Sequence, residues 1–414
     1  MSNFICYYKL PTDDFRVFNY HAQTFETCDK YSQDVSHFEM MGKNYFLNDE
    51  DLKQYAHDLY LASEELAKSP IFKGYAQPFH YINPFVYSNG KKISTKYHDA
   101  NIEQFFKIKT DMEKIKSFDP IDKIEANWMR KCFNAGLQYS VKGDHESYGY
   151  DMSNFYASLL ASKSLFIPTK KGTQTKLSEL PKSIGTGYYM VKIISTDPNI
   201  KKLFSFSPHH VYTHTSLKHA IKLSQTYEIS IDLVLDVEYN AYVYEFKDLI
   251  KGYKLFYKWY QAILKMKKLH PKNMLVKMLS SSLWGHLSRR NITYKTMEEA
   301  SDMDIDLNDD CDYYNLGYFM NDDGSGYYKL HDMNNPYKYP LRLKCFLTAL
   351  GRETIANVAQ LQIDSVIRIH TDGICFDKEQ NLNIENFIPE SKTTGLITFP
   401  IRRPKQVLDI NDDE

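Results

Sequence analysis

Apolar positions along this chain recur with two different periods. Over residues 51–68, Leu52, Tyr55, Leu59, Ala62 and Leu66 fall at helical spacing and Pro70 follows, which predicts a helix. The aromatic-rich stretch 44–47 before it reads as a short strand. From about Ile121 the pattern sharpens. A helix over 126–133 runs into Asn134-Ala135-Gly136, a strand ends in Gly149-Tyr150-Asp151, and residues 152–160 turn quickly into a helical pattern. Residues 187–195 alternate like a strand, Thr213 to Ser216 can start a helix through Leu217, Ile221 and Leu223, and 229–237 reads as another strand. Phe256, Trp259, Tyr260, Ile263 and Met266 form the apolar face of a helix predicted over 245–269. A break at His270-Pro271 separates it from a second helix over 274–287, because proline is harmless in a first turn.

Between Asn291 and Leu341 the pattern gives way to an acidic run, Asp302, Asp304, Asp306, Asp309, Asp310 and Asp312, and a hairpin signal at Asp322-Asp323-Gly324-Ser325-Gly326. The run has neither the glycine nor the distal glutamate of a calcium loop and reads as solvated. A helix over 341–361, a strand over 365–369, the turn His370-Thr371-Asp372-Gly373 and a strand over 374–377 follow. Helices mixed with short strands in hairpins make the fold class α+β.

Composition narrows the function classes. The 414 residues suggest two to four structural units, at roughly 100–200 residues each. With 51 Lys+Arg against 52 Asp+Glu the net charge is -1, so any surface for nucleic acid must be local. None of the six cysteines forms a C-x-x-C pair, which argues against a zinc ribbon or a disulfide framework. No run approaches the roughly 18 apolar residues of a membrane span, and the N-terminus has no signal-like pattern; an intracellular, reducing location and no membrane partner are expected.

Asp151 at a strand end, Lys265 and Lys277 on paired helices, and Asp372 in a hairpin turn are the residues suited to phosphoryl transfer. Carboxylates can hold a pair of divalent ions, and ammonium groups can neutralise a triphosphate as charge builds in the transition state. Taken singly, each aspartate is ordinary turn chemistry.

Together these segments resemble the family B DNA polymerases, most closely the protein-primed branch of phages, linear plasmids and related viruses. Asp151-Met-Ser-Asn-Phe-Tyr156-Ala-Ser is similar to that family's motif A, D-x-x-S-L-Y-P. Lys277-Met-Leu-Ser-Ser281-Ser282-Leu-Trp284-Gly285 resembles motif B, K-x-x-x-N-S-x-Y-G, and His370-Thr371-Asp372-Gly373 resembles motif C, D-T-D-S. Phe133-Asn-Ala-Gly136 looks like a degenerate Y-x-G-G segment, and Lys265 stands 277 − 265 = 12 residues before the motif B lysine. The likeness covers about residues 121–400 and lies in the order of motifs, none of which is intact.

The resemblance implies a right-hand architecture with an antiparallel-sheet palm and a helical-hairpin fingers domain. Residues 1–120 would form an N-terminal domain without recognisable exonuclease motifs. Residues 121–245 would be palm with motif A and an insertion, 246–291 fingers, 292–340 a second insertion, and 341–414 palm with motif C and a reduced thumb. Asp151 and Asp372 would be catalytic and, with the Met152 backbone carbonyl, would hold two Mg²⁺ ions, or Mn²⁺. Tyr156, Lys265, Lys277, Ser281 and Trp284 would bind the nucleotide, Tyr156 by packing under its sugar. Phe133, Gly136, Ser282, Gly285, Thr371, Arg402 and Arg403 would touch DNA, and His370, in place of the first motif C acid, would be an outer neighbour. Partners would be primer–template DNA and deoxynucleotides, and either a terminal protein or a further subunit carrying thumb or exonuclease. The location would be the cytoplasm of an infected host. The expected activity is DNA-directed DNA synthesis without proofreading; an inactive DNA-binding or scaffold protein of polymerase descent, and one subunit of a split polymerase, are the alternatives.

Overall fold

The computed structural model describes residues 4–9, 15–20, 22–28, 36–39, 49–67, 85–88, 91–94, 112–301, 303–306, 311–320, 326–382, 384 and 387–399. Arg402 and Arg403, the strand expected over 44–47 and the glycine turn at 322–325 lie outside them.

In chain order, a four-stranded sheet built from Phe4–Lys9, Phe15–Asn19, Thr24–Cys28 and Ser36–Glu39 precedes helix α1, Asp49–Ala67. Helix α2, Lys123–Cys132, opens where Asp122 accepts a hydrogen bond from the Glu125 amide at 2.9 Å, an N-cap that satisfies an orphan donor. Strands β1, Gln138–Ser140, and β2, Gly143–Met152, lead into the short helix α3, Phe155–Leu160. A five-stranded sheet over 173–243 follows, with helix α4, His214–Leu223, capped by Thr213 as expected. Helices α5, Gly252–Leu269, and α6, Met274–Leu287, form the predicted pair. The expected hairpin of the next segment is present as Tyr313–Met320 against Gly326–Asp332, within a four-stranded sheet. Helix α7, Lys344–Gln360, then precedes strands β3, Val366–His370, β4, Gly373–Phe376, β5, Phe387–Pro389, and β6, Gly395–Phe399.

The central sheet runs β5-β2-β4-β3-β1, all antiparallel, with β6 on the early half of β2. Strand β2 is its axis: Asp151 stands opposite Gly373 of β4 on one side and Ile388 of β5 on the other. Helices α3 and α7 contribute Phe155, Leu160, Phe346, Ile355 and Ala359 to the core. Tyr188 of the 173–243 sheet stacks on Phe346 with ring centroids 5.2 Å apart.

The largest shift in a helix boundary is at α5. The helix expected from Glu245 starts at Gly252, because Leu249–Lys251 pairs as a strand with Phe166–Pro168. Gly252 then lies against the Leu160 carbonyl, which an added Cβ would meet at 2.2 Å, and the amides of Gly252 and Tyr253 donate to Leu165 and Ser162. Periodicity sees the apolar Leu249 and Ile250; it cannot see that a distant strand edge claims them.

Three distant segments meet at a fully buried ion pair. Arg342 donates through Nε and Nη2 to the Glu125 carboxylate at 2.6 and 2.7 Å and through Nη1 to the Asp119 carbonyl at 2.8 Å, while the Tyr244 hydroxyl donates to Glu125 at 2.6 Å. Burial nonetheless holds the Glu125 carboxyl above its usual range against the pull of Arg342. Such a pair contributes little net stability when intact and costs much when halved. Arg342→Met should therefore lower stability by about 3–5 kcal/mol, and Arg342→Met with Glu125→Leu should recover most of it. Urea unfolding curves test this; a single variant losing less than about 1 kcal/mol would show the pair is not a junction.

Candidate active site

At the end of β2 the chain makes a tight exit. Asn154 takes a left-handed conformation, φ 58°, just before α3. Asparagine tolerates that region, which accounts for its presence where the resembling motif has serine. The β3–β4 turn is tighter still. Thr371 has φ 65°, a strained conformation for a β-branched residue, and its amide donates to the Leu137 carbonyl at 2.9 Å. Gly136 makes room for it: an added Cβ would stand 2.8 Å from Thr371 Oγ1 and Cγ2. Arg352 of α7 holds the same loop, donating to the carbonyls of Asn134 and Ala135 at 2.7 and 2.8 Å.

These contacts set Asp151 and Asp372 side by side. The Met152 amide donates to the Asp372 carbonyl at 2.9 Å, and a Cβ on Gly373 would lie 3.6 Å from Asp151 Oδ1. Burial and then the negative charges of Asp372 and Glu390 push the Asp151 carboxyl up to about 6, with Lys277 and Lys267 opposing. Asp372 is also raised, chiefly by burial, while His370 and Lys277 pull the other way. His370 at the end of β3 thus brings a group that, when protonated, favours the Asp372 carboxylate.

Two charged residues in this cluster escaped the sequence reading. Glu390 follows β5, its amide donating to the Gly149 carbonyl at 2.7 Å and its carboxylate accepting from Thr393 Oγ1 at 3.3 Å. Only the β5–β2 pairing brings it in, and three-residue strands leave no periodic signal. Lys267 is half-buried and feels both Asp151 and Lys277. Lys265, expected from its 12-residue spacing, is exposed on α5, about 160° away around the helix from Lys267 at 3.6 residues per turn. The ammonium groups that share the field of Asp151 are therefore Lys267 and Lys277.

The aromatic positions also converge. Tyr156 lies 5.2 Å from Trp284 and 5.1 Å from Phe155 between ring centroids, so α3 and α6 meet through Tyr156 and Trp284. Gly351 of α7 sits under the ring, where a Cβ would stand 3.2 Å from Tyr156 Cε1, and burial pushes the Tyr156 hydroxyl up to about 12. Ser281 is exposed and donates to the Lys277 carbonyl at 3.2 Å. Ser282 lies within α6. Gly285 is exposed, with nothing within 4 Å of an added Cβ, so packing does not require glycine there. Phe133 is 39% exposed, with Lys344 Nζ 3.7 Å from its ring centroid.

Divalent ions of the Mg²⁺ class need oxygen donors and often take only one or two carboxylates, the rest being water and substrate phosphate. Among the described residues no group of three His, Cys, Asp or Glu side chains could cage a metal ion. Asp151 and Asp372, raised and near each other, fit ions that arrive with a phosphate ligand.

The chain has a polymerase-like fold. The likeness is to solved structures of Phi29 DNA polymerase: one complexed with primer–template DNA and incoming nucleotides has a TM-score of 0.50 at 12% identity, over 83% of this chain and 56% of that one. Another, complexed with single-stranded DNA, gives 0.49 at 13% identity, over 83% and 55%. The chain spans about half the length of these proteins, and identity this low shows the fold alone. No protein-family model and no curated protein matches the sequence. Among the described residues no helix is long and apolar enough to cross a membrane.

The raised Asp151 carboxyl has a measurable consequence. The native group keeps its proton to about pH 6, whereas the unfolded one releases it near pH 4, so the native state binds more protons in that window and loses stability as pH rises through it. Asp151→Asn should stabilise the metal-free protein at pH 8 by about 1–2 kcal/mol, after discounting for a half-exposed group, and the gain should vanish near pH 4. Urea unfolding in EDTA at both pH values checks it; equal stability at pH 8 would mean that Asp151 is not electrostatically burdened.

Proposed function

We propose that this chain is a DNA-directed DNA polymerase that adds deoxynucleotides to a primer 3′ end. The observation that carries this reading is the meeting of Asp151 and Asp372 at one sheet edge, in the field of Lys267 and Lys277, within a polymerase fold. In the proposed reaction the primer 3′ oxygen attacks the α-phosphorus of the nucleotide. The new P–O bond forms as the bond to pyrophosphate breaks, and the hydroxyl proton leaves to solvent. Asp151, Asp372 and the Met152 carbonyl would hold two Mg²⁺ or Mn²⁺ ions, which supply Lewis acidity at the attacking and leaving oxygens.

The chain's own groups do the rest of the work in this reading. Lys277 and Lys267 bind the triphosphate and offset charge on the leaving pyrophosphate. Tyr156, braced by Trp284 and Gly351, packs under the sugar, where a 2′-hydroxyl would collide with the ring. Ser281 and Trp284 face the nucleotide from α6. Phe133, Gly136 and Thr371 would meet DNA from the loop that Arg352 braces, and Gly285 and Ser282 would meet it from α6. His370, when protonated, would favour the ionised Asp372. Priming by a terminal protein, the absence of proofreading and a further subunit belong to the same proposal as finer points.

Primer extension on a 3′-recessed hairpin with Mg²⁺ or Mn²⁺ tests the reading. Wild type should extend, and Asp372→Ala should lose at least about 10³-fold in kcat with its thermal unfolding preserved. No extension by wild type with either metal would overturn it. The lysine assignment is separable: Lys267→Met should raise the KM for deoxynucleotide about tenfold or more, while Lys265→Met should change it less than about threefold. The reverse ranking would restore Lys265.

A further inference from the structure

Helix α5 carries five lysines and no acid in 18 residues. Its buried face uses Leu255, Phe256, Trp259, Ile263 and Met266, which leaves Tyr253, Lys254, Tyr257 and Lys258 exposed on the first two turns. Tyr253 and Tyr257 lie 4.5 Å apart between ring centroids and are 37% and 39% exposed. Helical geometry sets Lys254 and Lys258 as a parallel row about 100° around from them.

The turn before the helix extends this surface. Phe246 is 80% exposed and approaches Phe166 at 6.5 Å. Lys251 Nζ stands 5.6 Å from the Phe166 ring centroid, and Lys163 Nζ the same distance from Tyr253. Of the nearest acids in sequence, Asp248 is paired with Lys170 at 3.5 Å and Glu245 is exposed. The backbone here is fixed: Leu249–Lys251 pairs with Phe166–Pro168, and the Gly252 and Tyr253 amides are bonded into the 162–165 turn at 2.8 and 3.0 Å.

We infer that this face binds single-stranded DNA outside the proposed catalytic cleft. Exposed aromatic rings interleaved with lysines are what a flexible polyanion with flat bases requires, because bases stack on the rings while phosphates meet the ammonium groups. Duplex DNA offers no unstacked base to these rings, and an acidic peptide would leave them without stacking partners. The choice of DNA over RNA rests on the proposed function; the surface itself needs no catalysis.

Fluorescence anisotropy with labelled oligo(dT) of about 12 nucleotides tests the inference on the full chain, with the cleft saturated by unlabelled primer–template hairpin. Wild type should still bind the oligonucleotide. Tyr253→Ala with Tyr257→Ala should weaken binding about tenfold or more, and Lys254→Glu with Lys258→Glu should also reduce the salt dependence by about 0.7 for each phosphate no longer neutralised. Ultraviolet crosslinking of wild type to an oligonucleotide carrying 5-iododeoxyuridine, mapped by mass spectrometry, should label the Tyr253–Tyr257 peptide whether or not the variants fold. Complete competition by the hairpin, unchanged affinity in both double variants, crosslinks confined to other peptides, or tighter binding of oligo(U) would each overturn it. A chain inactive in primer extension passes or fails this measurement independently of that result.

Discussion

The β4–β2 ladder pairs Gly373 with Asp151 and brings the Met152 amide to the Asp372 carbonyl, so two carboxylates share a sheet edge whatever their charges prefer. Backbone hydrogen bonds do the forcing, because a register slip of one residue would turn every β2 side chain to the opposite face. Tyr150, 7% exposed, and Phe376, fully buried, hold that register from the core side. The electrostatic cost appears in the raised Asp151 and Asp372 carboxyls, to which Glu390 adds. A fold that tolerates such crowding is one in which something positive belongs. Among the described residues the opposition comes from Lys267 and Lys277, with His370 beside Asp372 when protonated.

Holding this end of the sheet rigid falls to Thr371, Gly136, Leu137 and Arg352. A β-branched Thr371 at positive φ costs on the order of 1–3 kcal/mol and persists only where its surroundings over-determine it. Here they do. Gly136 leaves the space, the Leu137 carbonyl receives the Thr371 amide, and Arg352 ties the 134–135 carbonyls to α7. Farther out, the Arg342–Glu125–Tyr244 junction joins the start of α2, the end of the 173–243 sheet and the approach to α7. The chain after each inserted sheet is therefore tied to the start of α2.

How much of this was legible in the sequence depended on range. The α5–α6 pair, α7 and the β3–β4 hairpin were written in local periodicity and turn chemistry, and their order carried the resemblance that named Asp151, Asp372, Tyr156 and Lys277. Boundaries moved where a partner came from far away, as at Gly252, where pairing with Phe166–Pro168 shortened the helix. Glu390 was invisible because a three-residue strand has no period, and its role depends on pairing with residues some 240 positions earlier. Spacing in sequence points to Lys265 because it counts residues, whereas the field of Asp151 reaches Lys267 because it depends on which side of a helix the ammonium group occupies.

Charge shows the same contrast between a count and a place. A net charge of -1 argues against a polyanionic partner only if charge is spread evenly, and it is not. Asp151, Asp372 and Glu390 concentrate negative charge at the edge of the central sheet, while α5 carries only positive charge along its whole length. Opposite charges separated across a low-dielectric body make a stronger local field than either would in water. In the proposed function, a triphosphate entering between them would meet ammonium groups on one side and, on the other, carboxylates that repel it unless cations intervene. Under that proposal the acids that discourage the bare anion would favour its metal complex, so a near-neutral total is compatible with two local requirements of opposite sign.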